Sequence, residues 1–81
     1  MSVPVVIAEL TRNARERVRV SLEEWQGKPR LDIRTTTQLT EATDIWSPTK
    51  KGISVSVTLI PALRQALADA EAKARELGLI E

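Results

Sequence analysis

Cysteine and histidine are both absent from this chain of 81 residues, and so are phenylalanine and tyrosine. Without cysteine there are no disulfide staples and no thiolate metal sites. Without histidine the commonest general base and the commonest metal ligand are gone as well. Glycine occurs only three times, widely separated, so no glycine-rich phosphate loop exists. No acidic cluster suits a divalent ion. Any catalysis would rest on carboxylates, lysines or hydroxyls alone. These absences point away from an enzyme and call for no metal and no cofactor. Long apolar runs are missing too. The longest uncharged stretches are Met1–Ala8 and Ile53–Leu63, far below the roughly 20 residues of a membrane span. Met1–Ala8 also lacks the basic start of a signal peptide, so a soluble cytoplasmic protein without membrane partners is expected, nucleoid-associated in a bacterial cell.

What is present is a globular composition, 42% hydrophobic, with charge abundant but balanced at a formal +1. A single small domain over 1–81 is expected. A core this small is marginal, and with no staple or metal, association with a second copy is the natural source of further burial. The distribution of charge is uneven. From Arg12 to Arg34 there are seven basic residues against four acids, whereas the last 29 residues carry three basic and four acidic side chains. The positive excess lies in the first half.

Alternation sets out four strands, at about 3–10, 15–24, 30–37 and 45–57, and then a helix at about 59–77. Val18, Val20 and Leu22 share one parity, opposite to Arg15, Arg17, Arg19 and Ser21; residues two apart in a strand point the same way. Leu31, Ile33 and Thr35 alternate with Arg30, Asp32, Arg34 and Thr36 in the same manner. Thr11–Ala14 reads as a turn, Trp25–Pro29 as the tight link of a hairpin, and Thr37–Asp44 as an exposed loop. Gly52 is a candidate bulge or bend. After Val57 the period becomes 3.6, with Thr58 as N-cap, Pro61 in the first turn and Gly78 as the stop. Leu63, Ala66, Leu67, Ala70, Ala74 and Leu77 trace one stripe. The fold class is α+β: an antiparallel four-stranded sheet followed by one helix, with one sheet face apolar and the other wet. One helix cannot cover such a sheet, and burial of the stripe against a second copy makes a homodimer.

If the hairpin pairs as the alternation suggests, Arg17, Arg19, Arg30 and Arg34 share the wet face. Strands lie about 4.8 Å apart, and same-face residues about 6.8 Å apart along a strand, a spacing on which guanidinium forks can track the phosphates of a polynucleotide. A solvated outer face that discourages aggregation fits the same pattern. The two indoles, Trp25 and Trp46, stand near Lys28 and near Lys50 and Lys51 respectively. Unpaired bases stack on such rings, and core or interface filling is the alternative. Asp32 reads as an ion-pair partner that spaces the arginines, and Glu23 and Glu24 as solvated.

The run Arg17-Val-Arg-Val-Ser-Leu-Glu-Glu-Trp25-Gln-Gly-Lys-Pro-Arg-Leu-Asp-Ile-Arg34, then Pro48-Thr-Lys-Lys-Gly-Ile-Ser54, then an amphipathic helix, resembles the single-stranded-DNA-binding domain of the transcriptional positive cofactor four family. The resemblance covers roughly Val5 to Leu67. It implies a curved sheet, a homodimer built through the helices, and binding of single-stranded or melted DNA with little sequence preference. The matching positions are Trp25, Lys28, Arg34, Lys50 and Lys51. Where relatives often carry aromatics, this chain has Thr35-Thr36-Thr37; Gln26 and Arg30 also depart from the pattern, and Trp46 lies on another strand. The expected function is therefore a coactivator-like, non-catalytic binder of single-stranded or unwound DNA that leans on phosphate contacts. A protein-interaction module contacting the transcription machinery, and a single-stranded RNA binder, stay open beside it.

Overall fold

The computed structural model describes residues 3–39 and 45–81. Four strands form one sheet in the order β1-β2-β3-β4: β1 Val5–Asn13, β2 Glu16–Trp25, β3 Lys28–Gln38 and β4 Trp46–Ser56. All neighbours are antiparallel. A single 3₁₀ turn, Val57–Leu59, leads into helix α1, Ile60–Glu76.

β1 and β3 run further into their turns than the alternation indicated, because the turns are tighter, while β4 is one residue shorter at each end. The expected turn at Thr11–Ala14 is mostly strand: β1 continues to Asn13, and only two residues connect it to β2. Asn13 closes this connection with both ends of its amide. Its Oδ1 accepts from the Arg15 backbone N–H at 3.0 Å and its Nδ2 donates to Glu16 at 2.9 Å. The Trp25–Pro29 link shrinks to Gln26-Gly27, with φ of 51° and 75°. Positive φ at both central residues is the hairpin geometry whose twist matches the flanking strands. Glycine adopts it freely, while Gln26 does so at a cost of about 1–2 kcal/mol. Of the expected loop Thr37–Asp44, Thr37 and Gln38 belong to β3, Leu39 follows it, and 40–44 lie outside the described residues.

Register shifts fall between Val6 and Ala8, between Thr11 and Asn13, and between Arg34 and Thr36. Such irregularities bend strands and curve a sheet. At the third, β4 spends the residues between Gly52 and Pro48 opposite Thr35 alone. Gly52 permits the close approach there. A Cβ at this position would collide with the Ile33 carbonyl oxygen and lie 2.8 Å from the Arg34 Cα.

The helix begins differently from expectation. Thr58 is not its N-cap. Ser56 instead accepts a hydrogen bond from the Thr58 backbone N–H at 3.3 Å and caps the 3₁₀ turn, and Leu59 precedes the helix with no side-chain cap. Pro61 sits in the first turn. The end follows expectation: Gly78 takes φ 74°, and the Gly78 and Leu79 N–H groups return to the carbonyls of Arg75 and Ala74, a Schellman stop.

Burial is thin and centred on β3. Leu31 is the one buried apolar residue among those described, at 7% exposure; Ser21, Asp32, Thr35 and Thr36 are the buried polar ones. The helix buries none of its residues: Leu63 and Ala74 are half-buried, and Ala66, Leu67 and Ala70 are exposed. Between its first turns and the apolar side of the sheet runs a groove of about 440 Å³ walled by Val20, Leu22, Ile33, Ile60, Leu63 and Leu67. The chain exposes 6333 Å², against about 4,900 Å² for a compact 9-kDa monomer. Its radius of gyration of 14.9 Å exceeds the roughly 12 Å of a compact chain of this length. No described helix is long and apolar enough to cross a membrane.

Candidate nucleic-acid interface

Directly opposed residues of an antiparallel pair share a face. Arg19 opposes Arg34, Arg17 opposes Thr36, Glu23 opposes Arg30 and Trp25 opposes Lys28. The four arginines, Trp25 and Lys28 therefore share the polar face of the sheet. Trp46 joins them through its pairing with Gln38. Lys50 and Lys51 are exposed in the irregular part of β4, where no pairing assigns them to either face, and the charge of Lys51 is felt at Glu16.

This face divides into two lobes. The first lies toward the Gln26-Gly27 turn, where Trp25 stands 67% exposed and Lys28 is exposed. Its two arginines are tied down. Arg34 donates from Nε and Nη2 to the Asp32 carboxylate, the latter at 2.9 Å, and from Nη1 to the Thr49 carbonyl at 2.9 Å. The hydrogen bonds that Arg34 donates to Asp32, and then the charges of Asp32 and Glu23, hold the Arg34 pKa above its ordinary value against desolvation. Arg30 donates from Nη2 to the Ser54 carbonyl at 2.7 Å and from Nε to the Ser54 hydroxyl at 3.3 Å. Both arginines thus brace β3 against β4 while their charge remains at the surface. Asp32 takes the spacing role that its position suggested. A shallow groove of about 440 Å³ opens here, walled by Trp25, Arg30, Arg34 and Ser54 together with the acids Glu23, Glu24 and Asp32.

The second lobe is less neutralised. The Arg17 guanidinium lies over the Trp46 ring, its central carbon 4.0 Å from the ring centroid. Its Nη1 is also 3.6 Å from the Glu9 carboxylate. Neither Arg19 Nε nor Trp46 Nε1 reaches solvent, and neither finds a hydrogen-bond partner among the described residues. Thr36, fully buried between Arg17 and Pro48 in the pairing, leaves room for Arg17 to reach across β3. Beside Lys50, Thr49 Oγ1 holds the irregular backbone of β4 by accepting from the Lys51 N–H at 3.2 Å and donating to the Thr35 carbonyl at 2.8 Å.

Sequence reasoning did not single out Glu9, Thr49 or Ser54, and it placed Thr36 on the polar face only as the site of a missing aromatic. Glu9 had a visible signal, as the first charge after the apolar run that opens the chain. The threonines and Ser54 had none, because their role comes from register.

Comparison with known proteins places the chain in a family. The family model described as Transcriptional Coactivator p15 (PC4) matches residues 12–66, more than half of the chain. The chain belongs to the PC4 family. The matched stretch spans the hairpin, both lobes and the first turns of α1. Among solved structures, a PC4 homologue from Burkholderia pseudomallei is similar in two crystal forms. The tetragonal form gives a TM-score of 0.74 at 26% identity, covering 84% of this chain and 97% of that one. The orthorhombic form gives 0.76 at 25% identity, covering 88% and 93%. A bacteriophage T5 homologue of the eukaryotic coactivator PC4, implicated in recombination-dependent DNA replication, gives 0.58 at 29% identity, covering 95% and 98%. No curated protein matches the chain.

Proposed function

We propose that this PC4-family chain is a non-catalytic binder of single-stranded or locally unwound DNA with little sequence preference, acting as a homodimer in transcription or genome maintenance. The observation that carries the reading is the gathering of Arg17, Arg19, Arg30, Arg34, Trp25 and Lys28 on one sheet face; Lys50 and Lys51, exposed on β4, are proposed to add to it. Guanidinium and ammonium groups hold phosphates, and an exposed indole offers a base a stacking surface. The dimer is supported by the bare apolar groove and by an exposed area about 1,400 Å² above that of a compact monomer. Leu63, Ala66, Leu67, Ala70 and Ala74 are its proposed contact stripe.

The test is a titration of oligo-thymidine by fluorescence anisotropy across a salt series. Binding should weaken steeply with salt, and Lys50→Ala with Lys51→Ala should flatten the log–log slope by about 1.4, at about 0.7 per phosphate contact. Sedimentation of the same samples should report twice the chain mass. Unchanged oligonucleotide affinity in the double variant removes the lysines from the interface. Negligible binding at low salt removes the DNA-binding reading and turns attention to a protein partner, while tighter binding of the matched RNA assigns the face to RNA.

A further inference from the structure

Two unpartnered donors and one stacked cation occupy the same lobe, and none of them is explained by a fully open binding face. Trp46 is the indole that belongs to the polar face but is not available on it, because Arg17 covers the ring at 4.0 Å. A nucleobase is itself about 3.4 Å thick, as the rise per base in a stacked duplex shows. It cannot enter that gap unless Arg17 leaves. Trp46 Nε1 is buried without an acceptor among the described residues, although a buried indole N–H ordinarily finds one. Arg17 is held over the ring by the indole beneath it and by Glu9, whose carboxylate is 3.6 Å away. The ion pair is weak: it is more than one-third exposed on each side, and such pairs contribute little. A phosphate offers the guanidinium two oxygens in a fork and a stronger, charge-assisted pair.

The geometry points to a gated second stacking site: Arg17 is a latch that covers Trp46 in the free protein and, drawn off Glu9 by a phosphate, uncovers the indole for an unpaired base. Glu9 sets the latch from the edge strand. Pairing places it directly opposite Arg19 and one step from Arg17, yet the ion pair it makes is with Arg17. Trp25, uncovered at the other end of the face, needs no such step. The single strand would then engage the Trp25 lobe at once and the Trp46 lobe by exchange. This inference rests on the DNA-binding reading above.

The intact chain labelled with 5-fluorotryptophan separates the two by ¹⁹F NMR, with Trp25→Phe assigning the resonances. Saturating oligo-thymidine should shift both indoles. Glu9→Gln should move the Trp46 resonance before any oligonucleotide is added, and should tighten binding about two- to five-fold at low salt, the range of an exposed ion pair. Glu23→Gln removes the same charge from the other lobe and measures the general electrostatic gain; it should leave the Trp46 resonance in place. A Trp46 resonance that stays fixed at saturation, with affinity intact, overturns the latch and leaves the DNA-binding reading standing. So does a Glu9→Gln variant that matches Glu23→Gln in both readouts. Absence of any binding at low salt overturns both.

Discussion

Trp25 and Trp46 begin as equivalent residues, each an indole near lysines on a strand of the same sheet face, and they end in opposite conditions. Trp25 closes β2 beside a two-residue turn, where the chain reverses and no neighbouring strand rises above it. Trp46 opens β4 within reach of a long side chain that crosses over a small, buried threonine. The difference lies in what the neighbouring strands bring alongside. The surrounding arginines differ in the same way. Arg30 and Arg34 are committed to Ser54, Asp32 and Thr49, and among the described residues the Arg17 guanidinium is held by a ring and a distant carboxylate. One lobe is rigid and partly neutralised, and the other retains exchangeable charge.

The most severe way to break this contrast is Gly52→Ala. Its new methyl meets β3 backbone rather than a yielding side chain, and overpacking of that kind costs about 1–3 kcal/mol or more. Urea unfolding should show that loss, and the Trp46 signal should change while the Gln26-Gly27 hairpin with Trp25 keeps its own. Asp32→Ala attacks the rigid lobe. It leaves Arg34, only 24% exposed, without its carboxylate, and denaturation should report a loss of about 1–3 kcal/mol. Trp25→Ala should lower oligonucleotide affinity by about 1–3 kcal/mol while stability moves by no more than about 0.5 kcal/mol, as suits an exposed site. Equal losses in the two measurements would make Trp25 structural and erase the distinction from Trp46.

The smallest effect concerns the first turn. The hydrogen bond from Asn13, with minor help from Arg12 and Lys51, holds the Glu16 carboxyl below its ordinary range. A carboxyl lowered on folding stabilises the native state above its unfolded pKa, and that contribution disappears as pH falls through the folded value. Asn13→Ala should therefore leave a shallower loss of stability on acidification below the ordinary carboxylate range, read as the difference between urea midpoints at neutral and acid pH.

The central hairpin was legible in the sequence because two strict alternations, each with arginines on one parity, can pair in few ways that keep the apolar residues together. The observed pairing of Arg19 with Arg34 follows from that constraint. The Asp-Ile-Arg and Lys-Gly-Ile-Ser segments carried the family. Strand ends were less legible. Asn13 looked like part of a loop because its preference for turns is real, but it exerts that preference at the last residue of a strand. Thr58 looked like a cap because a 3₁₀ turn ahead of a helix leaves no mark in the hydrophobic period, and Ser56 does the capping one turn earlier. Arg17 over Trp46 could not be read at all. The two residues are far apart in sequence, are on strands that do not pair, and meet only because Thr36 between them is small.

The strand order carries a kinetic consequence. Every strand pairs only with its neighbours in the chain, and the first two reversals take two residues each. Short loops forfeit little entropy on closure, and contacts close in sequence form early. The sheet can therefore be knitted hairpin by hairpin within a single chain, before any encounter with another molecule supplies a cover for its apolar side.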